Sequence, residues 1–192
     1  MRPTCTRWLV ALAFLGVLLA SSSVAHATES PRAQVAAQHE AMQKVAWLVG
    51  SWHGEGWIEY QPGERMSFRS TETVGSYLDG LVLVIEGLHH DAASGDVIHH
   101  AIGMLSSDPQ ADLLRFRTHL SNGRAADSTG HLEGDAFVWS PPTPPGVAIR
   151  YTIRRDAGDW FEIGEMSRDG GSTWRQTFEM RLQRTTEAPS TD

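Results

Sequence analysis

From residue 51 to residue 183 the chain repeats one pattern, in which apolar and polar residues alternate over short segments, and few folds accept such a pattern. Alternation with a period of two turns one face of an extended strand toward a core. Short runs of glycine, proline, asparagine and aspartate separate the segments and predict turns. The predicted strands cover residues 51–60, 65–74, 81–90, 97–106, 112–120, 124–133, 136–140, 147–154, 160–167 and 173–183.

These ten strands predict an all-β fold, a closed antiparallel β-barrel of about ten strands with one N-terminal helix. Closure removes the two unpaired edge strands that an open sheet would expose. The helix is predicted over residues 31–47, because Ser30 suits an N-cap and Pro31 suits the first helical turn. Gly50 ends the helical spacing of apolar residues. We expect this helix to close one end of the barrel.

The first 27 residues have the features of an export signal. Arg2 and Arg7 give a basic start, and an uncharged run follows from Trp8 to Ala20. This run is shorter than the ~20 apolar residues of a membrane-spanning helix. The run is followed by Ala25-His26-Ala27, a small-residue cleavage pattern. We therefore expect a cleaved signal peptide and a protein exported to the periplasm or out of the cell.

The sequence predicts four segments. They are a signal peptide over 1–27, a linker and helix over 28–46, a barrel domain over 47–185 and a disordered tail over 186–192. The only cysteine, Cys5, lies in the signal, so the mature chain has neither disulfides nor thiolate chemistry. The formal net charge is −7 and no basic stripe exists, so nucleic acid is not an expected partner. We expect no membrane span after signal cleavage, and the oligomeric state stays open.

The start of the barrel carries a family resemblance. Trp47-Leu48-Val49-Gly50-Ser51-Trp52 and the following His53-Gly54-Glu55-Gly56 resemble the opening of nitrobindin-type and other calycin barrels. Residues 40–184 as a whole resemble a bacterial family of lipocalin-like proteins of unknown function. Supporting pieces are Tyr77-Leu78-Asp79-Gly80, Ile102-Gly103-Met104 and the closing strand from Trp174 to Arg184. The resemblance implies a lipocalin-like fold with Trp52 at the barrel floor, and it implies no reaction.

Haem is not expected, although nitrobindin-type proteins bind haem iron through a histidine near their last strands. No histidine follows His131 in this chain. The stretch that would carry the ligand therefore lacks it, and we expect no other cofactor.

The histidines cluster at one predicted hairpin. His89-His90 and His99-His100 flank a turn at Ser94-Gly95. A two-residue turn would place His89 opposite His100, at a separation of ~5 Å between Cβ atoms that lets two imidazoles share a divalent metal. A one-residue bulge at Gly95 would break this pairing and leave an ordinary solvated hairpin end.

Three functions fit these observations. The first is a barrel that binds a small hydrophobic or amphipathic ligand. The second is a metal-assisted enzyme that uses His89 and His100, and the third is a filled barrel that binds other proteins. No catalytic motif selects the enzyme. The side chains predicted to line a ligand cavity are Trp52, Phe68, Leu83, Ile85, Ile102, Met104, Phe116, Tyr151 and Phe178, with Arg117 and His100 at a mouth.

Overall fold

The computed structural model describes residues 30–185, which form a closed barrel of ten antiparallel strands preceded by one helix. Each strand pairs with its neighbours in sequence, and β1 pairs with β10 to close the barrel. The fold predicted from the alternation is therefore confirmed, while the predicted signal peptide and tail lie outside the described residues. The elements are α1 Pro31–Gln43, β1 Gly50–Gln61, β2 Glu64–Tyr77, β3 Val82–Asp91, β4 Val97–Asp108, β5 Leu113–Leu120, β6 Ala125–Glu133, β7 Ala136–Ser140, β8 Ala148–Asp156, β9 Asp159–Ser167 and β10 Arg175–Arg184.

Helix α1 begins where the sequence predicts and ends earlier. The Ser30 hydroxyl accepts a hydrogen bond of 3.2 Å from the backbone N–H of Ala33, so it caps the helix. After Gln43 the chain tightens into a 3-10 turn at Ala46–Leu48 instead of continuing to residue 47. No helix among residues 30–185 is both long enough and apolar enough to cross a membrane.

The 3-10 turn and a group of tryptophans close one end of the barrel, which we call the floor. The rings of Trp47, Trp52 and Trp160 meet edge to face at centroid distances of 5.9 to 6.3 Å. The indole N–H of Trp52 donates to the Leu48 carbonyl at 2.7 Å. Trp52 thus packs at the floor, where the family resemblance placed it. The opposite end of the barrel carries the turn between Asp91 and Val97, and we call it the open end.

Inward-facing glycines leave room that large side chains of neighbouring strands occupy. A Cβ atom on Gly164 would lie 2.6 Å from the ring of Tyr151, its partner on β8. A Cβ atom on Gly87 would lie 2.7 Å from the carboxylate of Glu72, its partner on β2. Neighbouring side chains therefore fill the space beside these two glycines.

The register of β3 and β4 differs by one residue from the register that a two-residue turn would give. His89 pairs with His99 and Leu88 pairs with His100. The Asp91 carboxylate accepts hydrogen bonds from the backbone N–H groups of Ala93 and Ser94, at 2.9 and 2.7 Å. This side chain organises a longer turn, and a bulge follows His89, so the predicted pairing of His89 with His100 was wrong.

The changed register reverses the two faces of β4. Ile102 and Met104 point outward and are 45% and 50% exposed, whereas Leu105 is fully buried. Because side chains alternate along a strand, a shift of one residue moves every side chain to the opposite face. The prediction that Ile102 and Met104 line the interior was therefore wrong.

Candidate functional site

Seven ring-bearing side chains line the barrel interior between the floor and the open end, and we call them the aromatic belt. Each of them contacts at least one other member at a centroid distance between 4.5 and 6.4 Å. The strands β1, β6 and β9 contribute no ring to the belt. The members are Phe68 on β2, His89 on β3, His99 on β4, Phe116 on β5, Trp139 on β7, Tyr151 on β8 and Phe178 on β10.

The belt is continuous over most of the circumference. Phe68 stacks on His89 at 4.5 Å, with only 2° between the ring planes. On the other side of the barrel, Trp139 stacks on Tyr151 at 4.5 Å and meets Phe116 edge to face at 5.0 Å. The belt therefore offers flat apolar faces, which suit a ligand that contains a ring.

Between β4 and β5 no ring contact joins His99 to Phe116 among the described residues, because Phe116 pairs with Leu105, six residues along β4 from His99. A cavity of about 190 Å³ lies nearby, at the open end of these two strands. Its walls are formed by Val97, Ile98, His99, His100, Leu120, Ser121 and Asn122. His99 is the one member of the belt among the walls of this cavity. A second cavity, of about 170 Å³, lies away from it beside Trp174.

A buried carboxyl group lies beside the belt. The Glu72 side chain shares a hydrogen bond of 3.2 Å with His89 Nε2 and accepts another of 3.3 Å from the Ser70 hydroxyl. Burial raises the pKa of Glu72 to about 8, and burial lowers the pKa of His89 to about 4. Near neutral pH both partners are thus uncharged, and their contact is a neutral hydrogen bond rather than an ion pair.

A second carboxyl group, Glu162, is buried on β9. The indole N–H of Trp160 donates to its Oε2 at 3.2 Å. Burial and the nearby Glu72 raise the pKa of Glu162 to about 8. No salt bridge joins Glu162 to a basic residue among residues 30–185. Because Glu72 and Glu162 are both buried, we call them the buried acid pair.

The histidines that were predicted to share a metal lie on opposite faces of the barrel wall. His89 points inward, whereas His100 points outward and binds Glu86 through Nε2 at 2.9 Å. His99 stands in the place predicted for His100, with its ring centroid 4.8 Å from that of His89. Within the described part of the chain no three His, Cys, Asp or Glu side chains are grouped so that they could hold a metal ion.

The other predicted lining residues divide between the two faces of the wall. Arg117 points outward and pairs with Asp127 at 2.8 Å, so it is not at the mouth. Those on the inner face are Trp52, Phe68, Leu83, Ile85, Phe116, Tyr151 and Phe178. Whether these seven contact a ligand remains a prediction.

Several interior groups were missed by the sequence reasoning. The missed side chains are Glu72, His99, Ser128 and Glu162. Glu72 alternates with Ser70 and Val74, and Glu162 alternates with Trp160 and Gly164, so the period of two contained the signal. Acidic residues are usually found on solvated faces, and this general preference outweighs the local alternation in a prediction from sequence.

Comparisons with known proteins support the fold and leave the function open. No protein-family model matches the chain, and no curated protein matches it. The crystal structure of Rv2717c from M. tuberculosis is similar, with a TM-score of 0.58 and 19% identity over 76% of this chain and 97% of that one. The S-type phycobiliprotein lyase CPES from Guillardia theta gives a TM-score of 0.54 and 11% identity over 78% and 93%. The fold is thus a lipocalin-like barrel, and the nearer likeness to nitrobindin remains a prediction.

Proposed function

We propose that this protein is an exported barrel that binds a small, ring-containing, hydrophobic or amphipathic ligand against the aromatic belt. The observation that carries the proposal is the belt itself, with a cavity beside His99 at the open end of β4 and β5. A ligand that enters at Leu120 and His99 meets the flat faces of the belt first. Binding needs no catalytic group, in keeping with the sequence, which has no catalytic motif.

The size of the cavity limits the ligand. A buried apolar cavity of ~150 Å³ accepts benzene, whereas drug-sized ligands occupy ~300 to 1,000 Å³. The cavity of about 190 Å³ therefore holds one ring of a ligand, and the rest of a larger ligand would lie against the neighbouring belt side chains.

A direct test measures uptake of a neutral fluorophore, N-phenyl-1-naphthylamine, by the purified mature protein. Leu120→Trp places a large side chain in the cavity and should abolish the fluorescence gain. His119→Trp adds the same side chain at the adjacent position, which lies on the outer face, and should leave uptake unchanged. Absence of uptake by the unmodified protein would overturn the proposal.

The predicted cleavage of the signal peptide can be tested by mass spectrometry. The intact mass of the protein recovered from its own host should correspond to a chain that begins at Thr28. The same native mass spectrum would reveal a retained adduct of a few hundred daltons. Recovery of the chain with residues 1–27 attached would contradict cleavage.

A filled barrel that binds another protein is the second candidate. Neighbouring side chains fill the space beside the inward-facing glycines, and the outer wall exposes Ile102 and Met104. Exposed apolar side chains that lie together mark contact surfaces more often than isolated ones do. This candidate predicts no fluorophore uptake, together with association that is lost in the double variant Ile102→Ser, Met104→Ser.

A further inference from the structure

Two buried polar atoms in the barrel wall have no hydrogen-bond partner. They are the hydroxyl oxygen of Ser128 and the indole nitrogen of Trp139. Ser128 is only 3% exposed. A buried donor without a partner costs ~1 to 3 kcal/mol, and the large majority of such groups in folded proteins are paired. These two atoms therefore call for a partner that the described side chains do not supply.

Both atoms belong to the part of the wall that carries the belt. Ser128 on β6 pairs with Phe116, and Trp139 on β7 pairs with both Gly130 and Tyr151. Phe116 and Tyr151 are the two belt rings that Trp139 contacts. The unpartnered atoms thus lie among the rings that the proposed ligand would touch.

The chemistry of the two atoms defines the group that would bind them. An indole N–H donates a hydrogen bond and cannot accept one, whereas a serine hydroxyl does either. A single acceptor oxygen with two lone pairs can take both hydrogen bonds. We infer that the belt binds an uncharged ring compound with a carbonyl oxygen, and that Trp139 and Ser128 donate to this oxygen. The inference rests on the proposed function and names the class of ligand.

The interior favours an uncharged ligand. No ion pair with arginine or lysine reaches the buried acid pair among residues 30–185, so an anionic ligand would find no positive partner there. Both acids hold their protons near neutral pH because burial raises the pKa of each to about 8. A cationic ligand would therefore meet neutral carboxyl groups, and burying an unpaired charge is costly.

The test compares two probes that differ in the oxygen. Acetophenone has a ring with a carbonyl group, and ethylbenzene has the same ring without it. The readout is the indole N–H signal of Trp139 in nitrogen-proton correlation spectra, assigned from its loss in Trp139→Phe. Two net hydrogen bonds of ~1 kcal/mol each would make acetophenone bind about five- to thirty-fold more tightly.

Variants assign the preference to the two donors. Ser128→Ala should reduce the preference for acetophenone about five-fold, the value of one net hydrogen bond. Trp139→Phe keeps a ring and removes the donor, so binding measured from the probe's own signals should lose a similar factor. Thr129→Ala, an exposed neighbour on β6, is the matched control and should change nothing.

Each outcome of this comparison bears on the inference. Stronger binding of acetophenone that is weakened by Ser128→Ala and by Trp139→Phe supports it. Equal binding of the two probes overturns it and leaves the proposed function in place, because water would then satisfy the two atoms. If neither probe binds and the fluorophore is not taken up, the proposed function itself fails.

Discussion

His89 and His99 face each other across β3 and β4 inside the barrel, with ring centroids 4.8 Å apart, while His100 lies on the outer face. Two imidazoles this close in an apolar interior repel each other when both are protonated. Burial, together with the charge of the neighbouring histidines, lowers the pKa of each to about 4. Near neutral pH the side chains of His89 and His99 are therefore uncharged rings of the belt.

This neutrality predicts how the histidines titrate. In the folded protein His89 and His99 should show no protonation between pH 5 and pH 8, because their pKa values lie near 4. Carbon-proton spectra of the imidazoles across this range measure it directly. The same protein in concentrated urea is the control, and there both should titrate near the ordinary value of ~6.5. A midpoint near 6.5 for both in the folded protein would contradict the burial of this pair.

The buried acid pair predicts a loss of stability on the alkaline side. Glu72 and Glu162 have a pKa of about 8 in the folded state and an ordinary value of 4.5. The folded state therefore holds protons that the unfolded state has lost, and stability falls as pH rises from 4.5 to 8. Between pH 4.5 and 6.5 the two buried histidines have the opposite effect, because their lowered pKa values make stability rise with pH. The net decline should thus appear between pH 6.5 and 8.

The size of this decline can be measured by urea unfolding at pH 6.5, 7.25 and 8. Each buried carboxyl group contributes up to about 1.4 kcal/mol per pH unit to the free energy of unfolding. Glu72→Gln removes one titrating group and keeps a polar side chain for His89, so it should reduce the slope by about half. Glu86→Gln, on the outer face, is the matched control and should keep the full slope. A flat stability profile from pH 6.5 to 8 in the unmodified protein would disprove the raised pKa values.

A pair of glycine variants tests whether the belt is rigidly packed. Gly164→Ala would place a Cβ atom 2.6 Å from the Tyr151 ring and 2.9 Å from the Phe178 Cβ, inside the barrel. Overpacking of a core costs ~1 to 3 kcal/mol, and we expect this loss in the free energy of unfolding. Gly75→Ala meets the Tyr77 ring at 2.7 Å, but Tyr77 is 55% exposed and can swing away. Equal stability losses in the two variants would show that the belt yields as easily as a surface side chain.

The sequence predicts the fold well because the fold depends on a repeated local pattern. Alternation, turn residues and the Ser30 cap all act within a few residues of chain, so all ten strands and the start of the helix were found. The candidate site depends on register, which is decided between strands. At the β3–β4 hairpin, hydrogen bonds from two backbone groups to the Asp91 carboxylate change the turn and move His99 inward in place of His100.

The buried acids were missed for a different reason. Glu72 occupies the interior because Gly87 leaves space opposite it and because His89 and Ser70 supply hydrogen-bond partners. These three residues lie on two strands, and their contact with Glu72 follows from the register of β2 with β3. The residues within one strand give no independent sign of that pairing, and glutamate is usually found on the exposed face.

Arg184 joins the end of β10 to the floor, and this contact provides the last prediction. Its guanidinium donates to the carbonyls of Val49 and Trp47, at 2.6 and 2.7 Å, and lies 4.2 Å from the centroid of the Trp52 ring. A planar group with several N–H donors meets all three, and a lysine ammonium does not reproduce this geometry. We therefore expect Arg184→Lys to lower the free energy of unfolding by about 1 to 2 kcal/mol, measured by urea denaturation. Arg181→Lys, which alters an outer-wall ion pair with Asp156 on the same strand, is the control and should have little effect. If both variants unfold at the same urea concentration as the unmodified protein, the floor is held by the tryptophans alone.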